Sequence, residues 1–193
     1  MDTTDVTFYS NLAAVISARS EFLDLVETTK RDINENDAEY MTPSRSRLKI
    51  PPSFQALLRE YQISYHPKIF NDSMRSLFDK TEVTRYTIPQ LYSCRNGYFT
   101  FQDSAVLSVF IMLDADPNLD IRVQRKGNPT QSALIKDRGV ASILIIPGNC
   151  DLRFTGEGRI IVANITYQRE VPVVGEKDKH GGKGTVQGEG NRC

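Results

Sequence analysis

This 193-residue chain lacks an excess of charge of either sign, since 24 basic and 24 acidic side chains cancel to a formal net charge of zero. A protein that works mainly by gripping nucleic acid or an anionic membrane carries a basic excess, so neutrality argues against that as a dominant role. Histidine is scarce: His66 precedes a proline and His180 lies in a glycine-rich tail. Two isolated histidines do not make a metal ligand set. Neither sits in an elbow such as G-x-S-x-G that would set it beside a nucleophile. The three cysteines (Cys94, Cys150, Cys193) match no zinc spacing, and an odd number is a poor disulfide framework. They read as reduced thiols. No apolar run approaches a membrane span, because the longest, Ala105 to Leu113, is strand-sized. The first residues, MDTTDVTFYSN, lack the basic-then-apolar layout of a secretion signal. The expectation is a soluble cytoplasmic protein with no membrane span, no cofactor, no metal and no identified small-molecule substrate.

What the chain does have is a strand-rich second half, centred on Gly139 to Gln168. Ile143 to Ile146 form a continuous apolar run, and Arg159 to Tyr167 is rich in β-branched residues. Pro147-Gly148-Asn149 and Gly156-Glu157-Gly158 cut the stretch into three strands. Two tight connections among three strands predict an antiparallel meander. Upstream, Pro89 marks an edge strand or an extended lead-in. Asn96-Gly97 is a hairpin cue. Ala105 to Leu113 reads as a central strand, and Leu119 to Arg125 alternates as a strand with one wet face. Short strands punctuated by Gly, Pro and Asn point to a sandwich or jelly-roll.

The front of the chain differs. Residues 1–40 hold nine acidic side chains against three basic ones, whereas residues 41–70 hold five basic and one acidic. Leu12, Val15, Ile16, Phe22, Leu23 and Val26 recur at helical spacing, which predicts one amphipathic helix from Ser10 to about Asn34. A polar linker follows near 34–46. Pro51-Pro52-Ser53 then starts a short helix that His66-Pro67 ends. From Val173 onward the composition turns glycine-rich and polar, as in a flexible tail. The predicted class is α+β: N-terminal helices (1–80) packed on or beside a C-terminal antiparallel β-sandwich (83–172), jelly-roll-like, with a disordered C-terminal tail (173–193).

The candidate motifs are weak on context. Asp114, Asp116 and Asp120 suggest a calcium loop, but an EF-hand needs glycine sixth and glutamate twelfth, where Leu119 and Arg125 stand. Gly156-Glu157-Gly158 lies between strands with no following helix, so it is no phosphate cradle. These absences set an enzyme below a structural or interaction protein that self-associates, of the viral coat or movement type. The contact residues expected for a homo-oligomer are Leu12, Val15, Ile16, Phe22, Leu23 and Val26. The alternative is a nucleic-acid-binding accessory protein, with Arg45, Arg47, Lys49 and Arg59 on phosphates and Tyr61 stacking on bases. A third reading is a β-sandwich hydrolase or carbohydrate-binding module with its site built from inter-strand loops.

Overall fold

The computed structural model describes residues 6–136 and 139–170. The expected tail, 173–193, with His180 and Cys193, lies outside the described residues. Among the described residues, thirteen strands form two antiparallel sheets. The larger sheet runs β1 (Val6–Tyr9), β2 (Ala13–Ile16), β11 (Ile143–Pro147), β8 (Ala105–Ala115), β13 (Ile160–Gln168), β6 (Gln90–Cys94), β4 (Arg45–Leu48) and β3 (Glu39–Thr42), with the two-residue β5 (Arg85–Tyr86) also paired to β13. The smaller sheet runs β10 (Asn128–Ile135), β9 (Leu119–Arg125), β12 (Cys150–Gly156) and β7 (Gly97–Phe99).

Two apolar clusters hold these layers. One unites the outer face of the large sheet (Ile16, Leu107, Ile143, Ile161) with the helices (Phe22, Val26, Leu57, Tyr61). The other lies between the sheets, where Phe110, Met112, Leu144 and Val162 meet Phe99, Val123, Leu152 and Phe154. Strands β8, β11 and β13 are buried almost throughout because both of their faces are covered. This is why Ile143–Ile146 form an unbroken apolar run, and why β9 alternates instead.

Several expectations change. The last three strands are not a meander: β11 pairs with β8 and β2, β12 with β9 and β7, and β13 with β8 and β6. Each short connection crosses from one sheet to the other. Asn96-Gly97 likewise turns the chain between sheets, since β6 pairs with β4 and β13 while β7 pairs with β12. The long N-terminal helix is a correction too. Its helical part is only α1 (Ser20–Asp32), while Ala13–Ile16 is a strand inserted between β1 and β11. Ser10, at φ 54°, makes the turn that ends β1. Residues 1–80 are therefore not a separate helical region, because β1, β2, β3 and β4 are members of the large sheet.

His66-Pro67 does not end its helix. α2 (Phe54–Glu60) runs through a π turn (Tyr61–Tyr65) into α3 (His66–Ile69). Pro67 follows directly on the π turn, where the i→i−4 hydrogen-bond register is already interrupted and a missing N–H costs least. Among the described residues, no helix is long and apolar enough to cross a membrane.

Candidate functional site: the polar mouth between the sheets

The inward face of β13 changes character along its length. Ile160 and Val162 belong to the inter-sheet apolar cluster, but Asn164, Thr166 and Gln168 carry polar groups into the same layer. Asn164 and Gln168 are buried, at 7% and 9% exposure, and so is Ser108 beside them. Buried polar groups are costly unless hydrogen-bonded, and these are. Ser108 and Thr166 share a bond of 3.1 Å, Thr166 Oγ1 donates to Asn164 Oδ1 at 3.3 Å, and Asn164 Nδ2 donates to the Val109 carbonyl at 3.3 Å. Gln168 Nε2 reaches Gln102 Oε1 at 3.5 Å, and the Tyr92 hydroxyl donates to Gln90 Oε1. The apolar filling of the two-sheet layer thus stops part-way, and a cavity of about 240 Å³ opens beyond it.

Arg45 closes one side of this cavity. β4 pairs with β6, Arg45 opposite Cys94, so the first residue of β4 lies at the mouth. Its guanidinium carbon stands 4.7 Å from the Phe99 ring centroid and 5.4 Å from that of Tyr92. Stacking on two aromatic faces holds a cation without consuming its hydrogens. The Arg45 Nε–H is buried and has no acceptor among the described residues. A planar guanidinium held in place by two rings, in a cavity of amides and hydroxyls, is suited to a carboxylate.

The other expected nucleic-acid contacts do not assemble. Arg47 pairs with Glu39 at 3.4 Å. Lys49 and Arg59 are exposed, the first just past β4 and the second on α2. Tyr61 is a correction: it is 1% exposed, and its hydroxyl is bonded to that of Tyr167 at 2.9 Å, so no base can stack on it. The expected oligomer contacts are corrected as well. Leu12, Val15, Ile16, Phe22 and Val26 are core residues of this chain, and only Leu23, at 39%, is exposed. Their helical spacing arose from a strand and a helix that both face the core.

The two thiols among the described residues are poor nucleophiles. Burial pushes Cys94 up to about 12, and it raises Cys150 as well. Two of the three aspartates singled out in the sequence hold local structure. Asp114 accepts from Lys30 Nζ at 2.8 Å, and Asp116 accepts the Asn118 N–H at 2.9 Å within its turn.

The fold resembles that of a 2OG-Fe(II) oxygenase. The oxidoreductase of the 2OG-Fe(II) oxygenase family from Burkholderia pseudomallei matches 82% of this chain and 84% of its own, at 12% identity and a TM-score of 0.52. A prolyl hydroxylase from Trichoplax adhaerens, in complex with a hypoxia inducible factor peptide fragment, matches 83% and 84% at 10% identity and a TM-score of 0.56. A prolyl-4-hydroxylase from Pseudomonas putida matches 82% and 93% at 8% identity and a TM-score of 0.50. Neither family models nor curated proteins gave a match. The expectation of a non-enzymatic, self-associating coat- or movement-type protein, with its RNA-binding alternative, is overturned by this likeness, because the neighbours are enzymes.

Non-haem Fe(II) in oxygenases is held by two histidines and a carboxylate on one face. The described residues do not fit that group. Their one histidine, His66, lies in the helical layer, with its ring against Phe70 at 4.8 Å and Tyr167 at 5.7 Å. Among the described residues no three His, Cys, Asp or Glu side chains stand together as a ligand set. Where β7 and β12 approach, the inward side chains are Phe99, Phe101, Cys150 and Leu152, all in the apolar cluster. No step through iron follows from these residues.

Proposed function

We propose that this chain is a jelly-roll of the oxygenase type that binds a small, polar, carboxylate-bearing molecule in the mouth between β6, β7 and β13. The observation that carries the reading is Arg45, stacked on Phe99 and Tyr92 and lining one cavity with Gln90, Gln102, Asn164, Thr166 and Gln168. Arg45 supplies the charge that selects an anion. The surrounding amides and hydroxyls supply the directional bonds that fix the rest of the molecule. A volume of about 240 Å³ suits a compact metabolite rather than a folded partner. A 2OG-type dicarboxylate is the first ligand to try, since the Burkholderia relative is described as belonging to the 2OG-Fe(II) oxygenase family.

Titration calorimetry tests the reading. 2-Oxoglutarate, glutarate and the uncharged diamide of glutarate are each added to the full chain and to Arg45→Met. The acids are expected to bind at one site, and the diamide not to bind. Arg45→Met is expected to weaken the acids about ten- to hundredfold, the scale of a lost charge-assisted hydrogen-bond pair. Equal affinity for acid and diamide, or for both proteins, rejects it.

A further inference from the structure

A cavity of about 540 Å³ lies on the other side of the large sheet, beneath the π turn and against β5 and β13. Leu58, Tyr61, His66, Ile88, Ile165 and Tyr167 line it, and no charged side chain does. Ile88 is 80% exposed and Tyr86 58%, although the strands around them bury their apolar residues efficiently. Large apolar side chains left on the rim of an apolar cavity mark a binding site more often than scattered exposure does.

Two further observations define what fits. The Tyr61 and Tyr167 hydroxyls bond to each other at 2.9 Å deep in this lining. They carry two hydrogens and use one between them, so one hydrogen remains for an outside acceptor. Both phenols are pushed up by burial, Tyr167 to about 12, so each keeps its proton. The π turn that presents Tyr61 is the second. Such insertions into α-helices are uncommon and occur often at functional sites. Beside it, burial lowers the His66 imidazole, so the ring is neutral and adds no charge.

We infer that this cavity binds an uncharged apolar molecule bearing one hydrogen-bond acceptor, a carbonyl or ether oxygen, which takes the spare hydrogen of the Tyr61–Tyr167 pair. The site is separate from the Arg45 mouth in both place and chemistry: one selects a charge, and the other would leave any charge unpaired. Apolar surface drives entry, and the tyrosine pair sets orientation.

The test uses two neutral dyes whose emission reports an apolar surrounding: a naphthyl ketone (Prodan), which has the acceptor, and N-phenylnaphthylamine, which does not. Each is titrated into the full chain, into Leu58→Trp, and into the double variant Tyr61→Phe with Tyr167→Phe. Circular dichroism melting confirms that each variant is folded. Removing both hydroxyls together leaves no unpaired partner, so the double variant is expected to fold.

The ketone is expected to saturate at one site per chain. Leu58→Trp, which fills the cavity from its partly exposed wall, is expected to weaken both dyes at least about tenfold. The double variant is expected to weaken the ketone about three- to tenfold, one hydrogen bond, and to leave the amine unchanged. Absence of saturable ketone binding to the wild-type chain, insensitivity to Leu58→Trp, or a double variant that treats both dyes alike would overturn the inference. So would a concentration-dependent dimer that Ile88→Glu dissolves, because the cavity would then be a contact between two copies.

Discussion

Phe110 shows at the level of one side chain how the two sheets are joined. It is fully buried on β8, with its ring 5.2 Å from Phe99 and 5.8 Å from Phe101, so it locks the large sheet to the small one. Phe110→Ala is expected to cost about 3–5 kcal/mol in urea unfolding, from lost burial plus the cavity left behind. Gly148 is a second such position. A β-carbon there would run into the backbone carbonyl of Ala105, while the Gly148 N–H donates to Val106 at 2.8 Å. Gly148→Ala must therefore displace a strand end, and is expected to lower the melting temperature by several degrees where a surface Gly→Ala would raise it. His66 sets a pH dependence. Burial holds its imidazole below the ordinary 6.5, so the unfolded chain binds the proton more readily than the folded one. Its contribution to stability is complete above about 6.5 and is lost as the pH falls through the folded value. The melting temperature is expected to drop between about pH 7 and about pH 5, and to drop less in His66→Phe. Asp72 and Asp79 are held below 3.8 by Lys80 and by Thr81, so their effect begins at lower pH.

Among the elements, β2 and α1 carry the clearest lesson about what a linear pattern can say. Val15, Ile16, Phe22 and Val26 are apolar at helical spacing, and in the structure all four are core residues of this chain rather than contacts to another copy. The spacing alone could not separate one helix from a strand followed by a helix, because Ala13–Ile16 is too short to show a period of two. The turn at Ser10 had no glycine to announce it. The same limit governs the last three strands. Pro147-Gly148-Asn149 and Gly156-Glu157-Gly158 do end strands, but a tight connection fixes only that the chain reverses, not which sheet it rejoins. Strand existence in β8, β9, β11 and β13 was legible from apolar runs and alternation, whereas pairing depends on partners far along the chain. One consequence can be checked directly. A chain beginning at Arg45 loses β1, β2, β3 and α1, and with them Ile16, Phe22 and Val26 from the core and a partner for the β11 edge. It is expected to be unfolded or aggregated in circular dichroism and light scattering. A folded monomer of reduced mass would contradict the shared core.

For the molecule as a whole, the two cavities lie on opposite faces of one sheet, and β13 serves both. Its inward side chains Asn164, Thr166 and Gln168 line the mouth, while its outward Ile165 and Tyr167 line the apolar cavity. Alternation along a strand thus gives a single element two chemistries. Arg45 was visible in the sequence as one of several basic residues, but its aromatic seat was not, since Phe99 and Tyr92 come from other strands roughly fifty positions away. The likeness to oxygenases covers the framework, and the donors that would hold iron do not come with it among the described residues. A crystal structure of the full chain grown with glutarate and ferrous iron under anaerobic conditions tests the central claim most directly. The account predicts a carboxylate on the Arg45 guanidinium between β6 and β13, with no iron held by the described residues. Iron bound between the sheets, or glutarate seated away from Arg45, would contradict it.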